Sequence, residues 1–135
     1  MHIALSPSLK NEIAMSRLFL SLLCFMPLDF ACAAGNAEAG KARFHLCASC
    51  HQIGPNAHSG FGPQLNGIIG RVAGSSPGYQ YSAAMKNSGI VWSEKKLNAF
   101  LRAPDQLVPG TRMRLWGLSD DQQIADLIAY LASVK

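Results

Sequence analysis

LCASCH, residues 46–51, puts two thiols and an imidazole, Cys47, Cys50 and His51, within one turn of chain. Three chemistries use such a cluster, and each makes its own demand on the rest of the sequence. A structural zinc site needs four ligands, commonly a second Cys pair or a pair of His residues at a characteristic spacing. Outside the leader discussed below, the chain offers only His45, His51 and His58 besides the two thiols, all crowded into the same region. A redox-active dithiol places its Cys-x-x-Cys at the start of a helix that follows a strand, in an alternating strand and helix pattern. Here the pair follows a helical stretch and that alternation is missing. Covalent haem attachment uses every member of the motif: both thiols become thioethers on the porphyrin and the following His51 becomes an iron ligand. This third reading is the one the remaining sequence favours.

The N-terminal region explains why. From Met15 the chain reads MSRLFLSLLCFMPLDFACAAG, with Arg17 ahead of an apolar block, Leu18 to Met26, and small residues at Ala31, Ala33 and Ala34. This is the layout of a secretory signal peptide. The block falls short of the roughly 20 apolar residues a bilayer span needs, and Asp29 interrupts it. Residues 1–34 are therefore expected to be a signal peptide with an N-terminal extension, cleaved near Ala33 or Ala34, with an uncleaved membrane anchor as the alternative. Residues 35–135 form the single expected domain. Export is expected to be to the periplasm. Cleavage removes Cys24 and Cys32, leaving Cys47 and Cys50 in an oxidising compartment, where close thiols do not stay free.

Composition narrows the function further. The whole chain holds 12 Lys+Arg against 8 Asp+Glu, with 15% charged residues and no basic run, which argues against a nucleic-acid partner. Three segments carry helical signals. In NAEAGKARFHLC, Asn36 is placed to N-cap, and Gly40, Phe44 and Cys47 fall on one face. In SEKKLNAFLRAP, Ser93 caps an apolar stripe of Leu97, Phe100 and Leu101, and Pro104 ends it. In SDDQQIADLIAYLASVK, Ser119 and Gln122 have capping-box spacing ahead of Ile124, Leu127, Ile128, Leu131 and Val134. Gly40 would let this last stripe approach the first helix closely. Between them lie long Gly- and Pro-rich loops, residues 54–82 and 103–113, of a length that usually carries function. Three short helices bury little apolar surface unaided, so an interior cofactor is expected to complete the core.

The second iron ligand decides what such a haem does. The candidates are His45, His58, Met85 and Met113. His45 sits on the approach helix beside the anchor, where reaching the far face is sterically unfavourable. His58 lies in a solvated loop, and Met85, in SAAMKNS, reads as a packing residue. Met113 follows the Pro109–Gly110 turn in VPGTRM, in a loop that flanking helices can hold against a buried face. It is the expected partner of His51.

At this point the chain resembles a known family. GKARFHLCASCH, GPQLNGIIGR, YQYSAAMKNSGIVWSEKKLNAFLRAP, PGTRM and DLIAYL occur in the order and approximate spacing of the class I cytochromes c of the mitochondrial and bacterial c2 type, from about Gly35 to Val134. The resemblance implies an all-α fold of short helices and long loops wrapped around one haem c, bound covalently through Cys47 and Cys50, with His51 and Met113 on the iron. It implies that the Pro63 carbonyl accepts from the His51 ring, that Arg71, Tyr81, Trp92 and Thr111 serve the haem propionates, and that Asn87 stands beside an internal water. It also pairs Phe44 with Tyr130 where the first and last helices cross. The expected role is a monomeric electron carrier that docks transiently with redox proteins and is not an enzyme. The alternatives are a peroxidase-like or ligand-binding cytochrome with an exchangeable distal site, or a dedicated subunit of an oxidoreductase complex. The chain departs from the family at Phe100, where many members have tyrosine, at Leu115 in place of phenylalanine, and at Asp105 and Gln106 in place of two docking lysines. Arg112 and Arg114 are the nearest basic residues.

Overall fold

The computed structural model describes residues 34–135; the leader read at residues 1–34 lies, but for Ala34, outside them. The described residues form six short helices: α1 (Ala37–Arg43), α2 (His45–Ala48), α3 (Ala83–Lys86), α4 (Glu94–Arg102), α5 (Pro104–Leu107) and α6 (Asp121–Ser133). The one β-type contact among these residues is an isolated antiparallel bridge between Val72 and Val91. None of these helices is long and apolar enough to cross a membrane.

The Asn36 side chain accepts from the backbone N–H groups of Glu38 and Ala39 at 2.9 and 3.1 Å, which starts α1. The expected single helix through Cys47 is in fact two, because the chain bends at Phe44, which closes α1 and opens α2. The bend lets Phe44 turn its ring edge onto Tyr130 of α6, with centroids 5.7 Å apart. Backbones meet at this crossing. A Cβ on Gly40 would collide with the Asp126 carbonyl, and one on Gly35 with that of Ala125, so both positions require glycine's missing side chain. The buried Asp126 carboxylate accepts from Asn36 N–H and from Gln122 Nε2, each at 2.8 Å, and these donors hold its carboxyl below the usual range.

α6 begins one residue later than its capping-box spacing implies. Asp120, not Ser119, accepts from the Gln123 N–H at 2.8 Å, and Gln123 returns its side-chain amide at 3.4 Å. The carboxylate is the stronger acceptor at a positive helix end. The helix then buries Ile124, Leu127, Ile128 and Leu131, each worth roughly 1.5–3 kcal/mol relative to exposure. Val134 leaves the stripe: it caps the end, and its carbonyl accepts from Gly67 N–H at 2.8 Å.

Ser93 accepts from Lys96 N–H at 3.2 Å and starts α4, whose buried face is Leu97, Phe100 and Leu101. Pro104 ends that helix and begins α5, in the first-turn position where its missing N–H costs nothing. An Arg102–Asp121 ion pair joins α4 to α6. These helices and the two loops line the larger of two cavities among the described residues.

Candidate functional site: a cavity between His51 and Met113

The cavity has a volume of about 230 Å³ and mostly apolar walls. On one side α2 delivers the Cys-x-x-Cys-His turn, closed by Cys50 and His51 N–H groups donating to the Cys47 carbonyl at 3.0 and 2.9 Å. Cys47, Cys50 and His51 all line the cavity, and the two thiols are not joined in a disulfide. Burial, reinforced by the neighbouring Cys50, pushes the Cys47 thiol above its ordinary range.

His51 is held in one orientation. Its Nδ1 lies 2.8 Å from the Pro63 carbonyl oxygen, which can only accept, so Nδ1 carries the proton and Nε2 presents its lone pair. Burial lowers the ring's proton affinity and outweighs the opposing effect of the Pro63 bond. The result is a neutral imidazole prepared to bind a metal. Gly62 makes the approach possible: a Cβ there would stand 2.8 Å from His51 Cε1 and 2.9 Å from both Nδ1 and the Cys50 carbonyl.

Met113 lines the same cavity from the irregular segment after the Pro109–Gly110 turn. Thr111 Oγ1 accepts from the Met113 N–H at 3.3 Å, and Thr111 N–H donates to the Val108 carbonyl at 3.0 Å. His45 and His58 are exposed; His45 is 2.8 Å from the Ala42 carbonyl, and His58 bonds with Gln52.

Of the residues expected to meet carboxylate groups, Tyr81, Trp92 and Thr111 line the cavity. Burial raises the Tyr81 hydroxyl above its ordinary pKa, which keeps it a donor. Ser76 is buried beside Tyr81, and its hydrogen bonding partly offsets the effect of burial on the Tyr81 hydroxyl. Arg71 stands one step back. Its guanidinium donates to the Gln64 carbonyl at 2.9 Å and to the Asn66 carbonyl, bracing the loop that carries Pro63, and it does not line the cavity.

Asn87 departs from expectation. It is exposed, forms the C-cap of α3 and lies outside the cavity lining, whereas Met85, two residues earlier, is buried and faces in. Ser82 fixes this register by accepting the Met85 N–H at 3.2 Å. Sequence reasoning also passed over Gly62, Ser76 and Phe61. Only Gly62 left a signal, the Gly-Pro pair at the foot of the loop.

Apolar walls, hydroxyl and indole groups from Tyr81, Thr111 and Trp92, paired thiols and a fixed imidazole suit a mostly apolar ligand with acidic groups and a metal. Known proteins agree. Residues 37–135 match the family profile of cytochrome c. The chain is 48% identical to cytochrome c2 of Rhodomicrobium vannielii over 76% of this chain and 82% of the relative. It is 48% identical to cytochrome c2 of Agrobacterium tumefaciens over 72% and 90%. Cytochrome cH from Methylobacterium extorquens superposes with a TM-score of 0.68 at 41% identity, covering 72% of this chain and 97% of that one.

Proposed function

The chain belongs to the cytochrome c family, and on that premise we propose that it is an exported electron carrier that holds its haem iron between His51 and Met113. Members of this kind are one-electron carriers, not enzymes, and carry one haem c on a pair of cysteines, here Cys47 and Cys50. The haem supplies the Fe(II)/Fe(III) couple; the protein supplies everything that keeps that couple in place.

The observation that carries the reading is the pairing of a neutral, oriented His51 with Met113 on one cavity. The imidazole offers nitrogen, the thioether offers soft sulfur, and two resident ligands leave little to rearrange when an electron moves. Sulfur ligation and apolar walls both favour the less charged ferrous centre, so a positive potential is expected. Tyr81, Trp92 and Thr111 are suited to hydrogen-bond the propionates, with Arg71 acting through the loop it braces. Such donors offset the cost of burying negative charge.

The leader and the bacterial relatives support a periplasmic location, with partners that are other redox proteins met by transient docking. Ferric-state near-infrared absorption tests the ligation. A sulfur-to-iron charge-transfer band in the native protein, lost in Met113→Ala, is expected; a native protein without the band would overturn the reading.

A further inference from the structure

Asn66 is the one asparagine of the chain that is followed by glycine. Asparagine is thermolabile, and this pairing is its weakest setting. The backbone nitrogen of the glycine, unshielded by a side chain, attacks the carboxamide carbon: the N–Cγ bond forms, the Cγ–Nδ2 bond breaks, and ammonia leaves with the nitrogen's proton. Water then opens the cyclic imide at either carbonyl, giving aspartate or its backbone-shifted isomer, isoaspartate. No electron is exchanged, and water is the co-reactant.

Burial gives this pair little cover, because Asn66 is half-buried and Gly67 is exposed. Hydrogen bonds supply it instead. The carboxamide is paired with both backbone groups of Gly54: Oδ1 accepts from the Gly54 N–H at 2.8 Å, and Nδ2 donates to the Gly54 carbonyl at 2.7 Å. The Asn66 N–H donates to Gln64 Oε1 at 2.7 Å. The peptide unit between Asn66 and Gly67 is also held at both ends. Its carbonyl accepts from the Arg71 guanidinium, and its N–H donates to the Val134 carbonyl at 2.8 Å, beyond the end of α6. Closing the imide requires the carboxamide to swing off Gly54 onto a nitrogen released by Val134. Each bond that must break slows the attack by roughly 5-fold.

We propose that Asn66–Gly67 is a covalent modification site gated by the fold: spared while these bonds stand, deamidated when the chain is unfolded, and damaging to the native loop once converted. The pair with Gly54 closes the neck of residues 54–66, the stretch that carries Gly62 and Pro63. A carboxylate at position 66 has no proton to donate and sets its lone pairs against those of the Gly54 carbonyl. Isoaspartate also lengthens the backbone within the turn. Time spent unfolded therefore leaves a chemical mark at the foot of the loop that orients His51. The proposal is independent of the carrier reading.

The test ages the haem-loaded protein at mildly alkaline pH, where the attacking nitrogen loses its proton more readily, in buffer and in guanidinium. Peptide mass mapping follows the amide-to-acid change at each asparagine, and enzymatic methylation counts the isoaspartyl product. In guanidinium Asn66 is expected to convert before every other asparagine. In buffer its conversion should be slower by on the order of 100-fold. Native conversion within a few-fold of the unfolded rate would overturn the gating, and an intact Asn66 in guanidinium would overturn the site; neither comparison needs a variant. Arg71→Gln, checked as folded by circular dichroism, should speed native conversion roughly 5-fold and leave the unfolded rate unchanged. An unaltered native rate there would count against protection by the held peptide unit. Asn66→Asp reproduces one product and should lower the denaturant midpoint; an unchanged midpoint would overturn the damage that conversion is proposed to cause.

Discussion

The two sides of the cavity are built to different standards. On the His51 side, the histidine is adjacent to both tethering thiols, its ring nitrogen is bonded to Pro63, Gly62 clears its path, and Arg71 braces the loop behind it. On the Met113 side, among the described residues, the side-chain bond that holds the residue is the local one from its own N–H to Thr111 Oγ1. The His51 side chain is over-determined, whereas Met113 rests on a turn. Disturbing the first should therefore disrupt assembly, and disturbing the second should alter the behaviour of an assembled protein.

The largest effect is expected from Cys47→Ser with Cys50→Ser, which leaves no covalent tether; intact mass and haem staining after denaturation should show no attached haem. Met113→Ala should retain the haem and lose the near-infrared band, so the two sides separate in one pair of spectra. Gly62→Ala comes next. The new Cβ must displace the His51 ring or the Cys50 carbonyl, and overpacking of this kind costs about 1–3 kcal/mol, readable in denaturant midpoints together with a broadened ferric spectrum.

Acid provides a comparison away from the haem. Asp126 has a carboxyl held below 3.8 by its two donors, so its contribution is fully present above that value and is lost as pH falls through the native-state value. Asp126→Asn should flatten the acid limb of stability between the α1 and α6 ends, measured by thermal midpoints across pH. Asn87→Ala should be the smallest change, within about 0.5 kcal/mol and without a shift in potential, because the residue is exposed and away from the cavity. A large shift there would mean that Asn87, not Met85, faces the interior.

These sites also show what a sequence can convey. Asn36 and Ser93 were readable as caps because a hydroxyl or amide before an apolar stripe has one economical use. The stripe of α6 was readable because three turns repeat the pattern, yet its start slipped by one residue where Ser119 and Asp120 compete for the same position. The four-residue α3 was beyond such reading. One turn carries no periodicity, so whether Met85 or Asn87 points inward depends on how Ser82 caps it. Cys47, Cys50 and His51 announce their chemistry by adjacency, and Pro63 and Thr111 came from the family pattern. The bend at Phe44 and the exposure of Trp116 arise only when the elements are packed together.

The crossing of α1 on α6 joins residues 90 apart in sequence, as in the bond from Asn36 N–H to Asp126. Every long loop lies between those two helices. A protease that nicks residues 54–82 would thus leave two fragments still clasped to one another through Gly40, Phe44 and Tyr130. A single cut in that loop need not be the end of the molecule.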